Sequence, residues 1–173
     1  MRMTPKRATP NSVRQSRICT QRRAFLSRGA TAAALFVMPG ILQAQQSDVW
    51  SAADAYDALS DDLIRLIDIR SRAEWTETGV AQAAWPVSLH EDRFPERLFE
   101  AKVMANGRPV ALICATGGRS GYVLRSLRQG GYTGFFDVSE GMLGSDAGPG
   151  WIKAGLPIVP AFTALQSLPP SLA

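Results

Sequence analysis

The sequence predicts an α/β domain with a mainly parallel central sheet flanked by helices on both faces. Short apolar runs typical of buried strands alternate with stretches in which apolar residues recur at helical spacing. The apolar run at residues 109–113 is bounded by Gly107 and by Gly117–Gly118, as expected for a strand in the interior of a sheet. Strands and helices that alternate in this way are typical of βαβ units, whose strands run parallel.

Helices are predicted where caps and helical spacing coincide. Ser51 is followed by Asp54, and Ser71 by Glu74, so each pair can form a capping box at a helix start. Asn106-Gly107 ends one helical stretch, and Gly130-Gly131 ends another. The predicted helices cover residues 51–59, 71–75, 93–104, 122–129 and 151–155.

Strands are predicted at the apolar runs of residues 63–70, 109–113 and 132–138, and residues 79–87 are predicted to form a turn and a short strand. Residues 156–159 are predicted to form an edge strand, because Pro157 and Pro160 limit its hydrogen bonding. From Ala161 onward the chain is rich in Leu and Pro and has no clear period. The sequence therefore divides into residues 45–160 as the domain and residues 161–173 as a C-terminal tail.

The first 44 residues have the composition of an export signal. They contain eight Lys and Arg residues and no Asp or Glu, then an apolar stretch too short to span a bilayer, and Ala44 at a cleavage point. Arg22-Arg23 followed by Ala-Phe-Leu resembles a twin-arginine signal. We expect cleavage of residues 1–44, delivery to the periplasm by the twin-arginine machinery, and no stable membrane anchor. A disordered basic tail or an uncleaved amphipathic anchor is the alternative.

Removal of this signal reverses the charge of the protein. The whole chain has 19 basic and 15 acidic residues and a net charge of +4. Without residues 1–44 it has 11 basic and 15 acidic residues, so the domain is acidic. No nucleic-acid partner is expected, because the basic residues that would support one belong to the signal.

Cys114 is the one cysteine that remains after residue 44, since Cys19 lies in the signal. No internal disulfide or cysteine-based metal site can form in the exported domain, and no metal or organic cofactor is expected. The thiol follows a predicted strand and precedes a predicted helix. Ligands bind at this end of the strands in parallel sheets, and helix-start N–H groups lower the pKa of a thiol there. An inert buried thiol is the alternative.

The residues around Cys114 are the candidate site. Gly117 and Gly118 let the backbone curl around the sulfur so that N–H groups point inward. Arg119 supplies a fixed positive charge able to engage an oxyanion donor, and Ser120 can cap the helix or donate a hydrogen bond. The predicted anion-binding loop consists of Ala115, Thr116, Gly117, Gly118, Arg119 and Ser120.

Three segments of the chain resemble single-domain rhodanese-like sulfurtransferases. Cys114-x-x-Gly117-x-Arg119-Ser120 matches the active-site loop of that family. The upstream Asp-x-Arg segment of the family is similar to residues 66–70 together with Glu74 and Gly79. Its C-terminal signature is similar to Gly141, Trp151 and residues 155–157. Asp68 and Arg70, at the end of a neighbouring strand, are expected to brace the loop as an ion pair.

The resemblance implies a sulfurtransferase. Sulfane sulfur would pass from thiosulfate or a persulfide to the Cys114 thiolate, and then to cyanide, a small thiol or a periplasmic protein thiol. The acceptor must be external, because no second cysteine is present after residue 44. Many thiosulfate-using relatives have a basic residue in the loop, whereas Ala115 and Thr116 are uncharged, which leaves the donor open.

Two alternatives to sulfur transfer remain. One is a non-catalytic rhodanese-like module that binds a protein partner or a sulfur compound. The other, less favoured, is a thiol phosphatase or arsenate reductase. Cysteine phosphatases resemble this loop but have one more residue between the cysteine and the arginine. Only four residues separate Cys114 from Arg119, and the shorter loop should fit a sulfur atom better than a phosphate.

Overall fold

A five-stranded parallel sheet forms the centre of the fold in the computed structural model, which describes residues 48–173. Its strands lie in the order β1, β6, β5, β2, β4, and every neighbouring pair is parallel. A second sheet pairs β3 with β7 in antiparallel fashion. The strands are β1 Val49–Trp50, β2 Arg65–Asp68, β3 Val80–Ala81, β4 Trp85–Pro86, β5 Val110–Ile113, β6 Phe135–Val138 and β7 Ile158–Val159. The predicted signal at residues 1–44 lies outside the described residues.

Helices cover both faces of the central sheet, as the sequence predicts. The α-helices are α1 Ala52–Ser60, α2 Arg72–Thr78, α3 Phe94–Met104, α4 Gly118–Gln129, α5 Gly150–Lys153 and α6 Ala161–Gln166. A short 3-10 helix follows at Pro170–Leu172. None of the helices within residues 48–173 is long and apolar enough to cross a membrane.

Two hydrophobic cores lie on opposite faces of the sheet, because successive strand side chains point to opposite sides. Ala111 and Ile113 of β5 belong to the core that includes Trp75 of α2 and Trp151 of α5. Val110 and Leu112 of β5 belong to the core formed with α3 and α4. Each strand of the sheet therefore presents alternate residues to different helices. This alternation decides which polar side chains at the strand ends can meet.

The start of α2 shows the capping that the sequence predicts. The Ser71 hydroxyl accepts from the Glu74 N–H, and the Glu74 carboxylate accepts from the Ser71 N–H at 2.9 Å, which completes a capping box. Such a cap satisfies helix-start N–H groups that otherwise lack partners. The box also places the Glu74 side chain at the helix start, beside the carboxyl ends of the strands.

Several elements differ from the prediction. Residues 79–87, predicted as a turn and one short strand, contain two short strands, β3 and β4, which lie in different sheets. The helix expected from residue 122 begins at Gly118, because Gly117 adopts a left-handed conformation with φ 78° and turns the chain directly into α4. Strand β1 was not predicted, since its two residues, Val49 and Trp50, carry too short a pattern to show a period.

Residues 161–173, set apart as a tail by the sequence, pack on the domain. They form α6 and the 3-10 helix, and Ala164, Leu168 and Leu172 are buried. The buried guanidinium of Arg97 on α3 donates from Nε to the Leu172 carbonyl oxygen at 2.8 Å. The segment lacks a clear period because its apolar residues face two different cores.

Candidate thiol site

Cys114 directly follows β5, and its free thiol is almost fully covered, with 1% of the residue exposed. The residue continues the alternation of β5, so its side chain lies on the same face as Leu112, beneath α3 and α4. The Ser120 hydroxyl, in the first turn of α4, lies 3.4 Å from Sγ and donates to it. The sulfur therefore sits at the junction of a strand end and a helix start, where the sequence places it.

The backbone of the Cys114 loop is anchored to the segment after β6. The Met142 N–H donates to the Cys114 carbonyl oxygen at 2.8 Å, and the Leu143 N–H donates to the Ala115 carbonyl oxygen at 2.8 Å. Contact is close enough that a Cβ at Gly141 would lie 2.4 Å from the Ala115 carbonyl oxygen. Because these carbonyl groups are tied to residues 141–143, the loop is held in one conformation.

The N–H groups of the loop are available to a ligand. Among the described residues, no protein acceptor takes a hydrogen bond from the backbone N–H of residues 115–120; the first N–H to bond back is that of Gly121, to the Gly117 carbonyl oxygen. The first N–H groups of a helix have no partner within it, and they carry the positive end of the helix dipole. The loop and the start of α4 thus form a site suited to an anionic sulfur or another small anion.

Arg119 is held by a carboxylate. Its guanidinium contacts Glu74 Oε1 at 2.5 Å and Oε2 at 2.9 Å, and it lies 3.1 Å from Nε2 of the exposed His90. The hydrogen bonds from Arg119 lower the pKa of Glu74 to about 2. The pKa of Arg119 is raised, first by its hydrogen bond with Glu74 and to a smaller extent by the nearby Cys114. The positive charge expected at the loop is present and is matched by Glu74.

Asp68 and Arg70 form the ion pair that the sequence predicts, but the pair binds the C-terminal end of α2 and does not brace the Cys114 loop. Both side chains are buried, and Arg70 Nη2 lies 2.7 Å from Asp68 Oδ2. The same guanidinium donates to Thr78 Oγ1 and to the Gly79 carbonyl oxygen, both at 2.7 Å. None of these hydrogen bonds reaches the loop of residues 114–120. The pair holds the C-terminal end of the helix whose first turn carries Glu74, so its connection to Arg119 is indirect.

Two residues of the site were missed as functional groups. The sequence predicts Glu74 only as a helix cap and as part of the Asp-x-Arg segment, and it predicts no role for His90. The capping box was visible in the sequence, but it does not show that the same carboxylate reaches Arg119. The described residues contain no cluster of three His, Cys, Asp or Glu side chains that could hold a metal ion.

Fold and site together define a class of protein: an α/β domain with a cysteine at the carboxyl end of a parallel strand, followed by a loop whose N–H groups have no protein acceptor within residues 48–173. A family model described as Rhodanese-like domain matches residues 51–145, more than half of the chain. The protein belongs to the rhodanese-like family.

Individual proteins similar to this chain share low sequence identity with it. An uncharacterized protein of Rickettsia rickettsii is 28% identical over 114 residues, covering 60% of this chain and 89% of the relative. The polysulfide-sulfur transferase homodimer of Wolinella succinogenes aligns with a TM-score of 0.46 and 25% identity, covering 64% of this chain and 77% of that one. A Rhodopseudomonas palustris protein described as a possible tyrosine phosphatase aligns with a TM-score of 0.48 and 18% identity, covering 65% and 83% of the two chains.

Proposed function

We propose that the protein is an exported sulfurtransferase that carries sulfane sulfur as a persulfide on Cys114. The observation that carries this proposal is the setting of Sγ, which lies against the Ser120 hydroxyl at the end of a loop whose N–H groups have no protein acceptor within residues 48–173. Hydrogen-bond donors arranged in this way stabilise a thiolate, and they stabilise the negative charge of a persulfide in the same place.

The reaction consists of two displacements at sulfur. The Cys114 thiolate attacks the outer sulfur of a donor persulfide, a new S–S bond forms, and the S–S bond of the donor breaks to release its thiolate. An acceptor nucleophile then attacks the outer sulfur on Cys114, takes it, and leaves the thiolate as it was. With cyanide as the acceptor the product is thiocyanate. The two half-reactions predict ping-pong kinetics.

The pairing of Arg119 favours a persulfide or polysulfide donor over thiosulfate. The Glu74 carboxylate is ionised at neutral pH, since its pKa is about 2. It therefore already neutralises the one loop side chain that would bind the second negative charge of thiosulfate. Ala115 and Thr116 add no charge to the loop. We expect thiosulfate to be the poorer donor in the wild type.

The burial of Cys114 favours small reactants. With 1% of the residue exposed, a hydrosulfide chain or cyanide reaches Sγ with less displacement of the loop than a bulky aromatic disulfide requires. A protein thiol would have to open the loop, so a small thiol is the acceptor that we propose. The shorter gap between Cys114 and Arg119, four residues, favours sulfur over a tetrahedral phosphate as the occupant.

Intact mass spectrometry tests the persulfide. Purified protein treated with polysulfide, and separately with thiosulfate, should gain the mass of one sulfur atom, and cyanide should remove it. Cys114→Ser, which preserves size, should gain nothing. If no donor adds a cyanide-labile sulfur to the wild type, the protein is not a sulfurtransferase, and a non-catalytic binding module becomes the better interpretation. Hydrolysis of an aryl phosphate that depends on Cys114 would instead support the phosphatase alternative.

Export is tested separately. A fusion of residues 1–44 to a reporter that is translocated only when folded should appear in the periplasm. Arg22→Lys combined with Arg23→Lys should keep it in the cytoplasm, whereas changing Arg14 and Arg17 to Lys provides a matched control outside the pair. Export that survives the change at Arg22 and Arg23 would contradict the twin-arginine assignment.

A further inference from the structure

A buried carboxylate lies beside the segment that holds the Cys114 loop. Glu140 is 7% exposed, and its Oε2 atom accepts from the N–H of Gly150, the first residue of α5, at 3.0 Å. A Cβ at Gly148 would lie 2.5 Å from the Glu140 carboxyl carbon, so the loop at Gly148 packs directly on this side chain. Burial of a carboxylate is costly, and no step of the proposed reaction uses Glu140. Its position therefore needs another explanation.

The start of α5 holds residues 140–143, which we call the strap. The Trp151 N–H donates to the Gly141 carbonyl oxygen at 3.0 Å. The next N–H of the helix, that of Ile152, donates to the Met142 carbonyl oxygen at 3.0 Å. Together with the hydrogen bond to the buried carboxylate, three consecutive N–H groups of α5 therefore bind three consecutive residues of the strap.

The strap in turn fixes two carbonyl groups of the Cys114 loop. The Met142 N–H donates to the Cys114 carbonyl oxygen, and the next N–H of the strap, that of Leu143, donates to the Ala115 carbonyl oxygen. No peptide bond in the described part of the chain is cis, and in a trans peptide unit the C=O and N–H bonds point in opposite directions. The N–H groups of Ala115 and Thr116 share peptide units with these two carbonyls, so they point away from the strap.

The direction away from the strap leads to the face of the sheet on which the sulfur lies. Met142 packs in the core that includes Trp151, whereas Cys114 packs in the other core, beneath α3 and α4. Within residues 48–173 the N–H groups of Ala115 and Thr116 have no protein acceptor. The strap therefore turns two available donors toward the side of the loop that carries Sγ.

We propose that Glu140 is a positioning residue for the Cys114 persulfide. Through Gly150 it fixes the start of α5, and α5 and the strap then set the direction of the Ala115 and Thr116 N–H groups. These N–H groups stabilise the Cys114 thiolate, which is the leaving group when the acceptor takes the outer sulfur. The inference rests on the sulfur transfer proposed above, and it adds to that reaction a residue outside the loop.

Glu140→Met tests the proposal, because methionine has a similar length but offers no oxygen to the Gly150 N–H. Persulfide-loaded protein is mixed with cyanide, and the thiocyanate formed per loaded sulfur is followed in a single turnover, so that unfolded molecules do not count. The rate constant at saturating cyanide should fall at least about ten-fold, the factor for one hydrogen bond to a charged group. The cyanide concentration at half-maximal rate should change less than about two-fold, because the lost interaction acts in the transition state.

Two variants separate positioning from stability. Glu140→Gln keeps an oxygen that can accept from Gly150 and should retain most of the wild-type rate. Leu59→Ala removes a buried side chain in the last turn of α1, so it lowers stability and should leave the rate per loaded sulfur unchanged. Amide hydrogen exchange adds a readout that needs no sulfur. Exchange at Met142 and Leu143 should be at least about ten-fold faster in Glu140→Met than in Glu140→Gln.

If Glu140→Met does not fold, Gly148→Ala takes its place, because its Cβ displaces the Glu140 carboxylate and leaves the charge present. An undiminished rate constant, unchanged exchange of the two strap amides, or a Glu140→Gln rate as low as that of Glu140→Met would each overturn the proposal. A wild type that gains no sulfur refutes the sulfur transfer and this inference with it. A wild type that loads normally confines any failure to the role of Glu140.

Discussion

Removal of the Asp68 carboxylate should destabilise the domain severely. Asp68 is 0% exposed and Arg70 is 1% exposed. The Arg70 side chain donates to both Asp68 carboxylate oxygens, at 3.0 Å and 3.1 Å from Nε and 2.7 Å from Nη2. Asp68→Ala would leave a guanidinium in the interior with only Thr78 and the Gly79 carbonyl oxygen as partners. A lone buried charge is far more costly than the pair, because no counter-charge offsets its lost hydration.

The expected loss is about 3–5 kcal/mol, the range measured when one partner of a buried ion pair is removed. A domain of this size has a free energy of unfolding of roughly 5–15 kcal/mol, so the variant would lose a large share of its stability. Replacing Arg70 by Met in the same chain should restore much of this loss, because an apolar side chain of similar length leaves no unpaired charge.

Urea unfolding followed by circular dichroism measures the effect, and the free energy of unfolding is compared at an unchanged m-value. Asp48→Ala is the matched control, because the Asp48–Arg128 pair is 42% and 46% exposed and should contribute only about 0–1 kcal/mol. A loss below about 1 kcal/mol for Asp68→Ala would refute the reasoning, since it would mean that the Arg70 charge is solvated.

Three further variants test the site and its support. The pKa of Glu74 is about 2 in the folded protein against an ordinary 4.5, so its ion pair with Arg119 stabilises the fold above pH 4.5 and loses this contribution as the pH falls toward 2. In a plot of the urea unfolding midpoint against pH, Glu74→Gln should reduce the slope between pH 4.5 and pH 2. An unchanged slope would contradict the assignment. Gly117→Ala should cost more than about 1 kcal/mol in thermal unfolding, because φ is +78° and a Cβ would lie 2.0 Å from a carbonyl oxygen, whereas Gly118→Ala, with nothing within 4 Å, should not. Leu172→Ala should lower the free energy of unfolding by about 2–5 kcal/mol if residues 161–173 belong to the core. Phe162→Ala is the control, because Phe162 is 71% exposed, and a loss for Leu172→Ala no larger than that of the control would show that they do not.

Much of the fold could be predicted from local patterns. Ser71 and Glu74 predict the start of α2, and the apolar run before Cys114 predicts β5, because capping and burial depend on residues close together in the chain. The same local reasoning failed for residues 161–173. Their buried residues contact helices and strands far away in the sequence, so no period within the segment marks them.

The site, too, has one part that neighbouring residues predict and another that depends on contacts distant in sequence. The position of Cys114 on a turn between a strand and a helix follows from residues 109–129 alone. The ion pair between Glu74 and Arg119 does not, because it joins residues 45 positions apart whose distance depends on how α2 packs. The hydrogen bonds of Arg70 to Thr78 and Gly79 could not be predicted either, because they depend on how the end of α2 packs against β2.

By itself, the sequence determined the α/β class, the cysteine at the end of its strand, the glycine turn and the helix that follows, since each depends on neighbours along the chain. The tertiary structure alone decided what surrounds the sulfur. It neutralises Arg119 with Glu74, turns Arg70 toward the end of α2, and ties the Cys114 loop to Met142 and Leu143. The physical reason is that strand order and register, which are set by contacts distant in sequence, select the side chains that meet at one end of a sheet.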